Sequence, residues 1–230
     1  MEMKMTTKLA AVILCSLVFA VSANAGVITT VGASNATSWN ATPTLGTATP
    51  GASSTQNAGA SPVAQTITVG ASSLTLDKLA FVVNTTTNYS ATMTLSIFAV
   101  ADPLAQGFNK NTANLLPGGG SFTFASATST TNGILTLDLT GTDEITLAAN
   151  TSYVLQMTKV SATSNPAFRY FTATDNASSA YTGGAFYYNS NYVTNSGSDA
   201  AFAVFAVPEP ATVSLLVLGG LGALLRRKRA

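Results

Sequence analysis

The sequence predicts an all-β fold, an antiparallel β-sandwich that is jelly-roll-like, with a signal peptide before it and a hydrophobic helix after it. Three observations carry the fold class. From Val63 onward, apolar residues recur with a period of two. Turn residues punctuate these runs at Pro117-Gly118-Gly119-Gly120, Asn132-Gly133, Asn150 and Gly183-Gly184. No stretch between Val63 and Ala206 carries a helical period. The result is about nine or ten short strands in a segment long enough for one core, which favours two packed sheets.

Residues 1–25 read as a signal peptide. Lys4 and Lys8 form a positive start, with Glu2 an unusual neighbour. Leu9 to Val21 is apolar throughout except Ser16. Ala23-Asn24-Ala25 is a small-x-small cleavage site, so signal peptidase is an expected partner and Gly26 the expected mature start. The one cysteine, Cys15, lies inside the apolar stretch. Lipid attachment there would need a small preceding residue, and Leu14 is not small. Cleavage at Ala25 leaves no cysteine, which excludes disulfides, thiol catalysis and cysteine metal sites.

Residues 26–62 read as a Ser/Thr/Ala-rich loop or edge segment. Pro43, Pro50, Gly51 and Pro62 interrupt it, and Trp39 is its one strong packing residue. Residues 63–206 read as the sandwich. Ile67 and Val69 alternate with Thr66 and Thr68. Leu74 and Leu76 share one parity; Leu79, Phe81 and Val83 take the other. That flip at Asp77-Lys78 predicts a bulge. Met93, Leu95, Ile97 and Ala99 follow, then Leu135, Leu137 and Leu139, then Tyr153, Leu155 and Met157. Phe168, Tyr170, Phe186, Tyr188, Phe202 and Val204 mark the later strands.

Residues 207–230 are built differently. Val207-Pro208-Glu209-Pro210 comes first, then the apolar run Ala211 to Leu225, then Arg226-Arg227-Lys228-Arg229-Ala230. The prolines fix φ and remove donors, which keeps the motif extended. Residues 211–225 would span roughly 22 Å as a helix, short of the roughly 30 Å hydrocarbon core. Gly219, Gly220 and Gly222 weaken that helix further. The four cations are a stop-transfer signal that stays cytoplasmic. This tail resembles the PEP-CTERM sorting signal of Gram-negative bacteria. The resemblance implies an exosortase-like membrane peptidase as partner, transient anchoring in the inner membrane, and delivery to the cell surface or medium. The strand series 63–206 resembles the β-sandwich ectodomains that precede such tails, for which no activity is implied.

Charge and composition narrow the function. Residues 26–206 hold four cations, Lys78, Lys110, Lys159 and Arg169. Their seven acids are Asp77, Asp102, Asp138, Asp143, Glu144, Asp175 and Asp199, for a net charge of −3. With no basic patch to neutralise phosphates, nucleic acid is excluded as a partner. The chain has no histidine, so the common general base and Ser-His-Asp chemistry are missing. A carboxylate-pair hydrolase remains as a minor alternative. Its only adjacent acids, Asp143-Glu144, would point to opposite faces of a strand. No cofactor is expected. Structural calcium would suit the Asp and Asn side chains, but no Asp-x-Asp-x-Asp loop names ligands.

Two binding alternatives follow from side-chain patterns. Tyr181, Phe186, Tyr187, Tyr188 and Tyr192 cluster in sequence, and Tyr181, Tyr187 and Tyr192 are the candidate sugar contacts of a carbohydrate-binding module. The pairs Thr66/Thr68 and Thr92/Thr94 could form a flat hydroxyl array, as ice-binding surfaces do, although threonine is also simply a good strand residue. Asn-x-Ser/Thr sequons occur at Asn35, Asn40, Asn84, Asn88, Asn150 and Asn176, as chance allows in so Ser/Thr/Asn-rich a chain. The leading expectation is a non-enzymatic envelope or extracellular-matrix protein that engages extracellular polysaccharide, as in a biofilm.

Overall fold

A computed structural model describes residues 28–33, 39, 42–52, 54–84, 89–108, 121–126, 133–139, 144–172, 181–192 and 197–207. Every regular element among them is a strand. In order they are β1 (Ile28–Ala33), β2 (Leu45–Gly46), β3 (Ser54–Asn57), β4 (Val63–Thr68) and β5 (Leu74–Asn84). Next come β6 (Tyr89–Val100), β7 (Ser121–Ser126), β8 (Gly133–Asp138), β9 (Ile145–Leu147) and β10 (Ser152–Ala162). The last are β11 (Ala167–Phe171), β12 (Phe186–Tyr188), β13 (Asn191–Tyr192), β14 (Asp199–Ala200) and β15 (Phe202–Ala206).

All pairings are antiparallel, and they make two sheets. One contains the order β3-β11-β5-β8, and the other contains β4-β10-β6-β7. From β3 to β11 the chain changes sheet at nearly every connection. Within the eight-strand frame, only β6–β7 stay side by side. That strand order and alternation define a jelly roll. The remaining strands extend this frame. β1 pairs outside β8, β9 pairs the start of β5, and β15 pairs the rest of β5 on the edge that carries β2. β12 and β13 extend the second sheet beyond β4.

The predicted bulge is present and has a purpose. Lys78 faces Phe205, and Leu76 faces Ala206, so Asp77 is the extra residue on β5. At this point β5 changes partner from β9 to β8. The freed Asp77 carbonyl accepts from Leu139 N–H at 2.7 Å, which satisfies the bulge. The parity flip then keeps Leu74, Leu76, Leu79, Phe81 and Val83 in one core.

The core follows the period-two reading. Met93, Leu95 and Ile97 of β6 pack with Tyr153, Leu155 and Met157 of β10 against Leu79, Phe81, Leu135 and Leu137. Phe81 meets Phe168 edge-on at 6.0 Å and stacks with Phe202 at 6.4 Å. The segment 26–62 includes edge strands. It supplies β1, β2 and β3, so paired structure starts well before Val63. These strands are short and lack large alternating side chains, which is why they read as loop. Trp39 caps the outer face of the first sheet over Ala80, Val82 and Ala203, and its Nε1 donates to Thr47 O at 2.7 Å. The loop after β6 covers part of the outer face of the second sheet, where Phe108 packs edge-on to Tyr187 at 4.9 Å.

Two glycines are sterically required. A Cβ on Gly184 would sit 2.0 Å from Thr66 O. At Gly46, φ +138°, an added Cβ would likewise clash with Phe202 O.

Candidate functional site

The site worth building is the place where the folded domain stops. β15 is anchored by Phe202 and Val204, both fully buried. On one side it pairs with β5, and on the other with β2, down to the last residues. Thr44 N–H donates to Val204 O at 2.8 Å, and Ala206 N–H donates to Thr44 Oγ1 at 3.1 Å. Val207 N–H then donates to Thr75 O at 2.9 Å. The next residue, Pro208, has no N–H to give, so the ladder cannot continue through it. Val207, read from sequence as the first residue of the sorting motif, is thus tied by its backbone to the domain. Pro208, Glu209, Pro210, the apolar run 211–225 and Arg226, Arg227, Lys228 and Arg229 lie outside the described residues. So do Ala23, Ala25 and Gly26 at the other end. Among the described residues, no helix is long and apolar enough to cross a membrane.

Of the candidate sugar contacts, Tyr187 is turned inward and Tyr181 is partly exposed. Tyr187 is fully buried, and its hydroxyl donates to Pro103 O at 2.7 Å. Tyr181 is held edge-on to Phe202 at 5.3 Å. Its hydroxyl accepts from Thr68 N–H at 2.9 Å and donates to Thr68 O at 3.2 Å. Burial raises the Tyr181 pKa above the ordinary tyrosine value; the Thr68 bond opposes this, and the Asp199 charge adds to it. Tyr187 is inward because the loop after β6 covers a face that alternation alone leaves open. The Tyr192 ring lies outside the described residues.

The Thr66/Thr68 half of the threonine array is taken up internally. Thr66 Oγ1 is buried, donates to Pro103 O at 2.8 Å and accepts from Ala185 N–H at 2.8 Å. Thr68 Oγ1 donates to Gly183 O at 2.7 Å. Thr92 remains at the surface, where its hydroxyl shares a hydrogen bond with Thr123 at 2.8 Å.

Three of the described acids, Asp77, Asp138 and Asp199, are tied into the structure. Lys78 sits 3.7 Å from Asp77 and 3.6 Å from Asp138 beside the bulge. Asp199 is 1 % exposed. Its Oδ1 accepts from Gln65 Nε2 at 3.0 Å, and its Oδ2 accepts from Tyr181 N–H at 3.1 Å. Gln65 Oε1 in turn accepts from Ala200 N–H at 2.8 Å. Gln65 belongs to one sheet and Asp199 to the other, so this is a buried polar link between sheets. Glu144 is exposed, and Asp143 lies outside the described residues. Among the described residues, no group of three or more Asp, Glu, Cys or His side chains could hold a metal ion. The structural-calcium expectation therefore gains no ligand set from them. A shallow depression of about 270 Å³ between residues 43–48 and Tyr181 contains no carboxylate and no cation.

Fold and junction together define a jelly-roll domain whose last strand runs directly into a C-terminal sorting segment. Residues 206–229 match the family model of the PEP-CTERM protein-sorting motif. Residues 206–229 are thus a PEP-CTERM sorting signal, which implies export and membrane-associated sorting by exosortase-type machinery. No curated protein and no solved structure matches the chain.

Proposed function

We propose that this is a non-enzymatic structural and adhesion protein of the cell envelope or extracellular matrix. The observation that carries this reading is the junction at Val207. A domain closed by hydrogen bonds to its last residue is followed at once by a donor-poor Pro-Glu-Pro segment, an apolar run and four cations. The signal peptide directs export, and the tail holds the protein in the inner membrane. Cleavage near Pro208-Glu209-Pro210 then delivers it to the surface or medium. Low charge and abundant hydroxyl and amide side chains favour close association with neutral extracellular polysaccharide, since little electrostatic repulsion opposes contact. The carbohydrate-binding-module alternative draws less support from Tyr187, which is buried, than from Tyr181, which stays partly exposed.

Glu209 offers one negative charge in an extended segment that a basic groove in a peptidase can read. In a host with the matching peptidase, Glu209→Ala should leave the protein uncut in the inner membrane. Deleting residues 211–230 should release it unanchored into the periplasm. Normal surface delivery of the Glu209→Ala protein would sink the recognition role of this residue.

A further inference from the structure

We infer that the domain docks on the membrane by one defined end, and that the surface it meets is the bilayer holding its own tail. This rests on the tail being anchored as proposed above. The starting point is chain length. Val207 is fixed to Thr75 O at 2.9 Å, and the apolar run begins at Ala211. Four peptide steps separate their Cα atoms, a reach of at most about 14 Å. The headgroup layer takes up roughly 5–7 Å of that on each side of the hydrocarbon core. The end of the sandwich that holds Val207 therefore cannot stand clear of the bilayer while the tail is inserted.

Strand registers identify that end. β15 runs toward the start of β5, and Leu74 of β5 faces Leu147 of β9. The turn leading into β5 joins the turn before β10 through two bonds. Val69 N–H donates to Thr151 O at 3.0 Å, and Asn150 N–H donates to Gly70 O at 2.8 Å. Val100, at the end of β6, lies opposite Ser152 of β10, so residues 101–102 leave from the same end. Gly70, Ser72, Ala148 and Asn150 are exposed there. Across residues 69–73, 101–102 and 148–151 the single charged residue is Asp102. Among these described residues, no lysine or arginine draws this end to anionic lipid. The docking is imposed by the tether, which gives these turns a high effective concentration at the headgroups, and salt should not loosen it.

The test uses uncut protein purified from membranes of a host without the peptidase and placed in phosphatidylcholine vesicles. In a Cys15→Ser background, one fluorophore is attached at Ser72→Cys or at Val160→Cys. Val160 is 60 % exposed and lies about 26 Å along β10 from the docking end. Vesicles carrying a headgroup nitroxide should quench the label at position 72 several-fold more than that at 160, equally at low and high salt. A Gly/Ser linker inserted between Val207 and Pro208 should abolish the difference. Protein that floats with the vesicles but is quenched equally at both positions overturns the docking. So does quenching at 72 that needs added peptidase, because the peptidase would then be the occupant. Protein that fails to float overturns the anchoring on which the inference rests.

Discussion

Asp199→Ala should destabilise the domain by about 2–5 kcal/mol. The carboxylate is 1 % exposed and accepts from Gln65 Nε2 at 3.0 Å and Tyr181 N–H at 3.1 Å. Alanine removes both acceptors without offering water, and each buried donor left without its acceptor costs about 1–3 kcal/mol. Gln65 Nε2 keeps its 3.0 Å bond to Thr66 O, so one of its hydrogens stays satisfied and the lower half of the range is favoured. Against the roughly 5–15 kcal/mol of a typical domain, this is a large fraction. Asp199→Asn should cost less, because one oxygen still accepts while the new amide faces a donor. Asp138→Asn, at a partly exposed ion pair with Lys78, should cost about 1 kcal/mol or less. Urea unfolding of residues 26–207 followed by circular dichroism measures all three. Gln65→Met combined with Asp199→Leu should not recover the loss, because Tyr181 N–H stays without its acceptor and Ala200 N–H loses Gln65 Oε1. If Asp199→Ala shifts the unfolding free energy no more than Asp138→Asn, the link between sheets is not a stabilising element and the reasoning fails.

Two further outcomes test the fold. Leu95→Asp should abolish the β-sheet circular dichroism signal of the isolated domain, because Leu95 is 1 % exposed between the sheets and an unpaired buried charge costs several kcal/mol; a folded variant would show that β6 is misassigned. Tyr181 has a folded pKa above the ordinary value of about 10, so its contribution is complete below pH 10 and is lost as pH rises through the folded pKa. The stability advantage of wild type over Tyr181→Phe, about 1–2 kcal/mol at neutral pH from the two Thr68 bonds, should shrink in alkaline urea titrations; an advantage unchanged by pH would contradict this.

The sequence carries the strands wherever one face is buried by large side chains. β5, β6, β8 and β10 are readable because alternating Leu, Ile, Met and Phe fix their register. The Asp77 bulge is readable because it inverts that alternation. β1 to β3 are hidden because their residues are small or polar, and pairing partners far along the chain decide their structure. Gln65 has the parity of Ile67, an inward polar position in plain view, but its partner Asp199 lies 134 residues away. Tyr187 misled for a similar reason: alternation tells which residues share a face, and the loop after β6 decides whether that face meets water. The sorting tail is legible because its chemistry is local. Proline spacing, an apolar run and a basic cluster need no tertiary contacts to be recognised.

Mass spectrometry of the wild-type protein recovered from the cell surface or medium tests the central claim most directly. Processing at the junction predicts a chain that ends close to Pro208-Glu209-Pro210 and lacks Arg226, Arg227, Lys228 and Arg229. Recovery of an intact Arg226-Arg227-Lys228-Arg229 terminus would contradict it and make the tail a plain membrane anchor.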